Sequence, residues 1–252
     1  DFSKIAPLLA LPAEEREAFA ADVDAQRLSV RQLDAAVREK LAAEQRAKEA
    51  EQAAEDAKRR CQQARDALGI KDDRPLVLSY WGSLGADVMN GYMVDFLRQA
   101  ARDGAPFHHI HGAGRNFAAM EKALAGDHLP PALQIREYIY DMAPVMRAAD
   151  LVICRAGAST VSELTALAVP AVIVPSPYVT NNHQEKNARI LEKHGGARVI
   201  LEKDATGEAL YRAAGEILRS PELRRSMSAG MAELGIPDAT ERIYRTVMAL
   251  RK

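Results

Sequence analysis

DLVICRAGASTVSELTAL, residues 150–167, decides the fold. Its first five residues are a near-continuous apolar run, Arg155-Ala156-Gly157 is a small-residue turn, and a helix follows over about 159–168. A strand without polar alternation is buried on both faces, as in a parallel sheet covered by helices on each side. The same strand, turn and helix recur in both directions. Upstream lie RPLVLSYWG (74–82) with a helix over 86–102, PFHHIHG (106–112) and LQIREYI (133–139). Downstream lie PAVIVPSP (170–177), a helix over 183–194 and ARVILE (197–202), after which Thr206 and Ser220-Pro221 open the closing helices. Such alternation predicts an α/β domain with a doubly wound, Rossmann-like parallel sheet.

Residues 1–68 read differently. They contain no glycine and are rich in Ala, Glu, Arg, Lys and Gln, the strong helix formers. Pro12, with Glu14, Glu15 and Glu17 behind it, reads as the start of a short helix with acids at its positive end. Ser29 and Gln32 fit a capping box that opens a second helix, about 40 residues or roughly 60 Å long. Its apolar positions Val30, Leu33, Val37 and Leu41 give way to alanines such as Ala43, Ala50, Ala54 and Ala57, which bury little area. We therefore expect a helical, coiled-coil-like segment over 1–58, solvated or weakly self-associating, ahead of an α/β domain over 59–252.

The bulk numbers exclude several classes. A formal net charge of −1 opposes a generally basic nucleic-acid surface. Cys61 and Cys154 have no metal-ligand spacing and suit a reducing compartment. No apolar run of about 18 residues occurs to span a membrane. The chain opens on Asp1 with no leader-like segment, which reads as a processed or trimmed chain and leads us to expect a cytoplasmic location.

In a doubly wound sheet, ligands bind outside the carboxyl ends of the strands. Two glycine turns lie there. Gly82-Ser83-Leu84-Gly85 joins a strand to a helix, and its small residues let backbone amides approach an anion. In Arg155-Ala156-Gly157-Ala158-Ser159-Thr160-Val161-Ser162-Glu163 a small-residue turn opens a helix, and Glu163 follows one turn later. A carboxylate there suits a ribose diol while the amides hold a diphosphate. The alternative is that Ser159 or Thr160 caps the helix and Glu163 merely complements its dipole. SPYVTNNHQEKNA (176–188) offers amide side chains suited to sugar hydroxyls, although Asn181 and Asn182 also fit ordinary turn and capping positions. His109 and His111 share a strand face with Phe107, but no third ligand accompanies them, so no metal is expected.

WGSLGADVMN, FHHIHGAG, EYIYDM, ADLVICRAGASTVSELTALAVPAVIVPSPYVTNNHQEKNA and GIPDATERI, in that order from about residue 60 to 250, resemble the C-terminal half of the MurG family. That resemblance implies a GT-B glycosyltransferase half-domain and a hexosyltransferase. The donor would be UDP-N-acetylglucosamine and the acceptor the lipid-linked undecaprenyl-pyrophosphoryl-muramoyl-pentapeptide. The reaction, lipid I to lipid II, serves peptidoglycan synthesis at the inner face of the cell membrane, with no cofactor. By motif, Ser83 would contact the phosphate region, with Gly82, Gly85 and Gly157 supporting it. Ile139 would present backbone groups to the uracil. Ala158, Ser159, Thr160, Val161, Ser162 and Glu163 would wrap the diphosphate and ribose, and Gln184 would touch the sugar with His183 beside it.

Ala168 stands where the family usually has glycine. The family's glycine-rich acceptor loop has no counterpart in residues 1–58, which also lack histidine. The expectation is thus a donor half-site without the acceptor half or its catalytic base. The other reading is a non-catalytic UDP-sugar-binding module whose helical arm dimerises or holds a partner. Residues 3–38 also resemble, over a short length, the helical region of ParB-type DNA-binding proteins; DNA is nevertheless not an expected partner.

Overall fold

The computed structural model describes residues 4–82, 86–236 and 238–250. The chain divides into two compact units, Asp1–Arg60 and Cys61–Lys252. Among the described residues no helix is long and apolar enough to cross a membrane.

The first unit holds α1 (Ile5–Leu8), α2 (Arg16–Asp22) and most of α3 (Val30–Ala67). Pro12 does not open a helix. Glu15 N–H donates to Pro12 O, closing a turn, and the Arg16 guanidinium donates to the carbonyls of Leu9 and Leu11, so α2 begins only at Arg16. The short α1 lay outside the sequence expectation. The Ser29–Gln32 capping box is formed: Gln32 N–H donates to Ser29 Oγ (3.3 Å) and Ser29 N–H to Gln32 Oε1 (3.0 Å). Leu33 and Val37 are buried with Leu11 and Ala25. Beyond them α3, 38 residues long, is mostly exposed and carries helix-surface ion pairs such as Arg38–Asp34 and Arg59–Asp56, each worth only a few tenths of a kcal/mol.

In the second unit six parallel strands stand in the order β3-β2-β1-β4-β5-β6, comprising β1 (Leu76–Tyr80), β2 (His108–Gly112), β3 (Leu133–Arg136), β4 (Leu151–Cys154), β5 (Ala171–Ile173) and β6 (Ala197–Val199). The connecting and closing helices are α4 (Asp87–Arg102), α5 (Phe117–Leu124), α6 (Met142–Ala148), α7 (Ala158–Leu167), α8 (His183–Lys193), α9 (Gly207–Arg219), α10 (Pro221–Ala232) and α11 (Ala239–Leu250). The doubly wound expectation holds. Alternate strand residues fill two cores. Val77, Ile153 and Val172 pack with Met93, Phe96 and Leu97 of α4 and Leu210 and Ile217 of α9. Leu76, Leu78 and Val152 pack on the other face with Val145 of α6, Leu164 of α7 and Leu191 of α8.

The strands are shorter than the apolar runs suggest. ARVILE pairs only over Ala197–Val199, after which Glu202 enters a 3-10 turn; LQIREYI pairs only to Arg136. Those extra residues turn off the sheet at its carboxyl edge. Thr206 and Ser220 cap α9 and α10 as expected, their hydroxyls accepting from Ala209 N–H (3.0 Å) and Leu223 N–H (3.1 Å).

Candidate functional site

The strand order reverses between β1 and β4, so the ligand crevice of such a sheet opens beyond Tyr80 and Cys154. The carboxyl edge there carries two hollows that share Gly82. One, about 390 Å³, is lined by Tyr80, Gly112, Ile139, Ser159, Thr160 and Glu163, among others. The other, about 560 Å³, is lined by Trp81, Arg155, Ser176, Tyr178, Gln184 and Glu202, among others. Gly82 has φ +88°, a left-handed turn that takes the chain off β1 at little steric cost.

In the β4–α7 turn neither Ser159 nor Thr160 caps the helix. The N-cap of α7 is Gly157, which has no side chain to cap with, and Ser159 and Thr160 lie inside the helix. The first helical bond is Val161 N–H to Gly157 O (2.9 Å). The amides of Ala158, Ser159 and Thr160 therefore have no carbonyl within the helix, and they sit at its positive end. Glu163 is beyond the first turn, exposed, on the wall of the smaller hollow. The Tyr80 hydroxyl is buried near Thr160 and Glu163, without a well-formed hydrogen bond among the described residues. Burial first, with the Glu163 charge adding to it, pushes the Tyr80 phenol and the Cys154 thiol up, so both stay neutral.

Other expected residues divide. Ile139 lines the smaller hollow and rests on Gly112, where a Cβ would stand 3.2 Å from Ile139 Cδ1. Gln184 lines the larger hollow, and its Oε1 accepts from Ser176 N–H (2.9 Å), which leaves its amide N–H groups for a ligand. Ala158, Val161, Ser162 and His183 line neither hollow. Val161 packs against the core, Ser162 Oγ donates to Ala158 O (3.0 Å), and exposed His183 places Nδ1 3.0 Å from Thr180 O. Asn181 and Asn182 adopt left-handed backbone at the α8 start, the turn role that short amide residues tolerate. Ser83 and Gly85 lie outside the described residues.

Spacing alone missed Arg155. Its guanidinium donates to Val174 O (3.1 Å), pairs with Glu202 at 2.5 Å, and stands 6.0 Å from the Trp81 ring centroid. It thereby ties β4, β5 and the turn after β6 together beneath the larger hollow. Its place directly after β4 was the available signal. His109 and His111 face Ser79 and Asn90 inside the protein, and among the described residues no three His, Cys, Asp or Glu side chains gather as metal ligands.

Residues 77–243 match the family model of the glycosyltransferase family 28 C-terminal domain. The chain belongs to glycosyltransferase family 28. Its relatives include the UDP-N-acetylglucosamine–N-acetylmuramyl-(pentapeptide) pyrophosphoryl-undecaprenol N-acetylglucosamine transferase of Acetivibrio thermocellus, 43 % identical over 192 residues. That match covers 76 % of this chain and 52 % of that protein. The enzyme of the same name from Thermoanaerobacter sp. is 40 % identical, over 73 % of this chain and 50 % of its own. The crystal structure of MurG from Acinetobacter baumannii superposes with a TM-score of 0.63 at 30 % identity, covering 75 % of this chain and 53 % of that one. The chain spans about half the length of the curated relatives it matches. The resemblance to the MurG C-terminal half, and its GT-B fold, are thereby established.

Proposed function

We propose that the chain is the donor-binding half of a MurG-type hexosyltransferase. It holds UDP-N-acetylglucosamine while the sugar passes to the undecaprenyl-pyrophosphoryl-muramoyl-pentapeptide, the step of peptidoglycan synthesis named for its relatives. The observation that carries this reading is the uncapped start of α7, whose Ser159 and Thr160 line the smaller hollow where the strand order reverses.

The diphosphate lies against the amides of Ala158–Thr160 and beside the Gly82 turn, where partial positive charge meets negative oxygen. Glu163 accepts from the ribose hydroxyls, and the backbone at Ile139 reads the uracil in the smaller hollow. The sugar enters the larger hollow, where Gln184 donates to it. As the glycosidic bond breaks, negative charge grows on the leaving UDP, and the same amides stabilise it. The acceptor hydroxyl needs a base and a second wall to align it, supplied by residues other than those assigned here. That acceptor is lipid-linked, which places the reaction at a membrane surface.

A second reading, a non-catalytic UDP-sugar-binding module with a partner-binding arm, draws on the long exposed run of α3. Transfer to a lipid I analogue would exclude it.

Calorimetric titration tests the donor site. The wild-type chain is expected to bind UDP-N-acetylglucosamine in preference to UDP-glucose, and Glu163→Ala to weaken it by at least about tenfold. Absence of binding to the wild type would remove the donor-site assignments.

A further inference from the structure

A buried polar chain runs from the sheet to the smaller hollow, and every proton in it can be assigned. Ser79 Oγ lies 2.7 Å from His109 Nε2 and 2.7 Å from His111 Nδ1. His111 Nε2 lies 3.0 Å from Asn90 Oδ1, and Asn90 Nδ2 donates to Ala113 O at 2.8 Å. Ser79, Asn90, His109 and His111 are all buried.

The last bond sets the sense of the rest. With the Asn90 amide nitrogen spent on Ala113 O, its oxygen faces His111 and takes the Nε2–H proton. Burial drives both rings towards the neutral form, His111 to about 3 and His109 well below its ordinary value, so each carries one N–H. His111 Nδ1 then accepts from Ser79 Oγ–H, and Ser79 Oγ accepts from His109 Nε2–H. The one atom left over, His109 Nδ1, has no partner among the described residues and is a bare acceptor in a ring that packs on Phe96 and Phe107, a cheaper orphan than a buried N–H.

The chain ends where the ligand begins. Ala113 follows β2, between Gly112 and Gly114, both on the wall of the smaller hollow. Ala113 N–H donates to Arg136 O (2.9 Å) and Gly114 N–H to Glu137 O (2.9 Å), which ties this wall to the segment that carries Ile139. Asn90 itself stands in the first turn of α4, its N–H donating to Ala86 O (2.8 Å).

We propose that His111, held in one tautomer by Asn90, is a positioning residue for the nucleoside of the donor: through Asn90 it fixes the Ala113 carbonyl, and with it the Gly112–Gly114 wall against which the base lies. This rests on the donor-site reading given above. A role in stability alone would lower the melting temperature and leave binding untouched, so the two are separable.

The test compares His111→Leu with His111→Gln, whose amide nitrogen can still donate to Asn90. Uridine and UDP-N-acetylglucosamine are titrated into each below its melting temperature. His111→Leu is expected to weaken both ligands by a similar factor, about tenfold, and His111→Gln to recover most of that loss although both variants melt earlier. Wild-type affinity for uridine in His111→Leu would overturn the proposal, as would a loss confined to the diphosphate sugar. Should His111→Leu fail to fold, nitrogen NMR of the wild-type imidazoles decides. A bare Nδ1 and protonated Nε2 on His111 that shift on uridine saturation support the role, and resonances unmoved by saturation contradict it. A wild-type chain that binds neither ligand would instead sink the donor-site reading, before any variant is made.

Discussion

Two of the helices in the α/β unit begin in opposite ways. α9 opens on Thr206, whose hydroxyl takes the Ala209 amide. α7 opens on Gly157, with no side chain to satisfy its first amides, and its Ser159 and Thr160 line the smaller hollow. α9 is amphipathic and lies along the core, with Leu210, Ala214 and Ile217 buried. α7 buries only Leu164 and Thr165 within its length and keeps its N-terminal turn towards the carboxyl edge of the sheet. α4, α5, α6 and α8 also start without a side-chain cap. It is therefore the place of α7, with Ser159 and Thr160 on the wall of a hollow at the carboxyl edge of the sheet, that offers its amides to something the chain does not contain. Its geometry and partial charge specify an anion.

The largest expected effects separate these two helices by binding. Glu163 and Arg212 are each the sixth residue of their helix. Glu163→Ala should weaken UDP binding by about tenfold or more with little change in melting temperature, whereas Arg212→Ala should leave UDP affinity within about twofold. Equal losses in both would dissolve the contrast. Next come the caps. Thr206→Ala and Ser220→Ala should each cost about 1 kcal/mol in chemical denaturation and leave UDP affinity unchanged, because neither hydroxyl lines a hollow. A smaller effect belongs to the other end of α7. Ala168 closes that helix with φ +54°, a left-handed conformation that strains any residue with a Cβ. Ala168→Gly should therefore stabilise the fold by about 0.5–1 kcal/mol, read as a higher denaturation midpoint with donor affinity unmoved.

Ala168 also marks how far the sequence could be read. Its departure from the usual glycine was visible in the residues, but only the backbone shows that the position needs a positive φ. The parallel sheet was legible because fully buried strands carry no polar alternation, and the caps at Ser29, Thr206 and Ser220 because short hydroxyl residues before a helix have one common use. Strand ends were not legible: the apolar run ARVILE continues past the point where β6 stops pairing, since apolar residues also cover the top of the core. Pro12 misled for a related reason. Proline opens turns as readily as helices, and the Arg16 bonds to Leu9 and Leu11 choose the turn. Of the residues that line the hollows, sequence singled out Glu163 and Gln184 and the family resemblance Ile139, but neither pointed to Arg155 or to the Ser79–His111–Asn90 chain. Those depend on which residues face each other across neighbouring strands and helices, and spacing along one segment does not contain that information. Likewise the open N-cap at Gly157 could not be told from a capped one until the helix start was placed one residue earlier than the first hydroxyl.

The central claim is that the open amides of α7 are the diphosphate site, and Gly157→Ser addresses it most directly. A Cβ at Gly157 meets nothing within 4 Å, so a serine fits, and its backbone is already in the extended conformation of an N-cap. The hydroxyl would do for α7 what Thr206 does for α9. UDP titration and thermal melting of this variant, with Gly157→Ala as the control for the added Cβ, give the answer. Gly157→Ser is expected to gain a few tenths of a kcal/mol in stability and to lose about tenfold in UDP affinity, while Gly157→Ala gains no stability. Wild-type UDP affinity in a stabilised Gly157→Ser chain would contradict it.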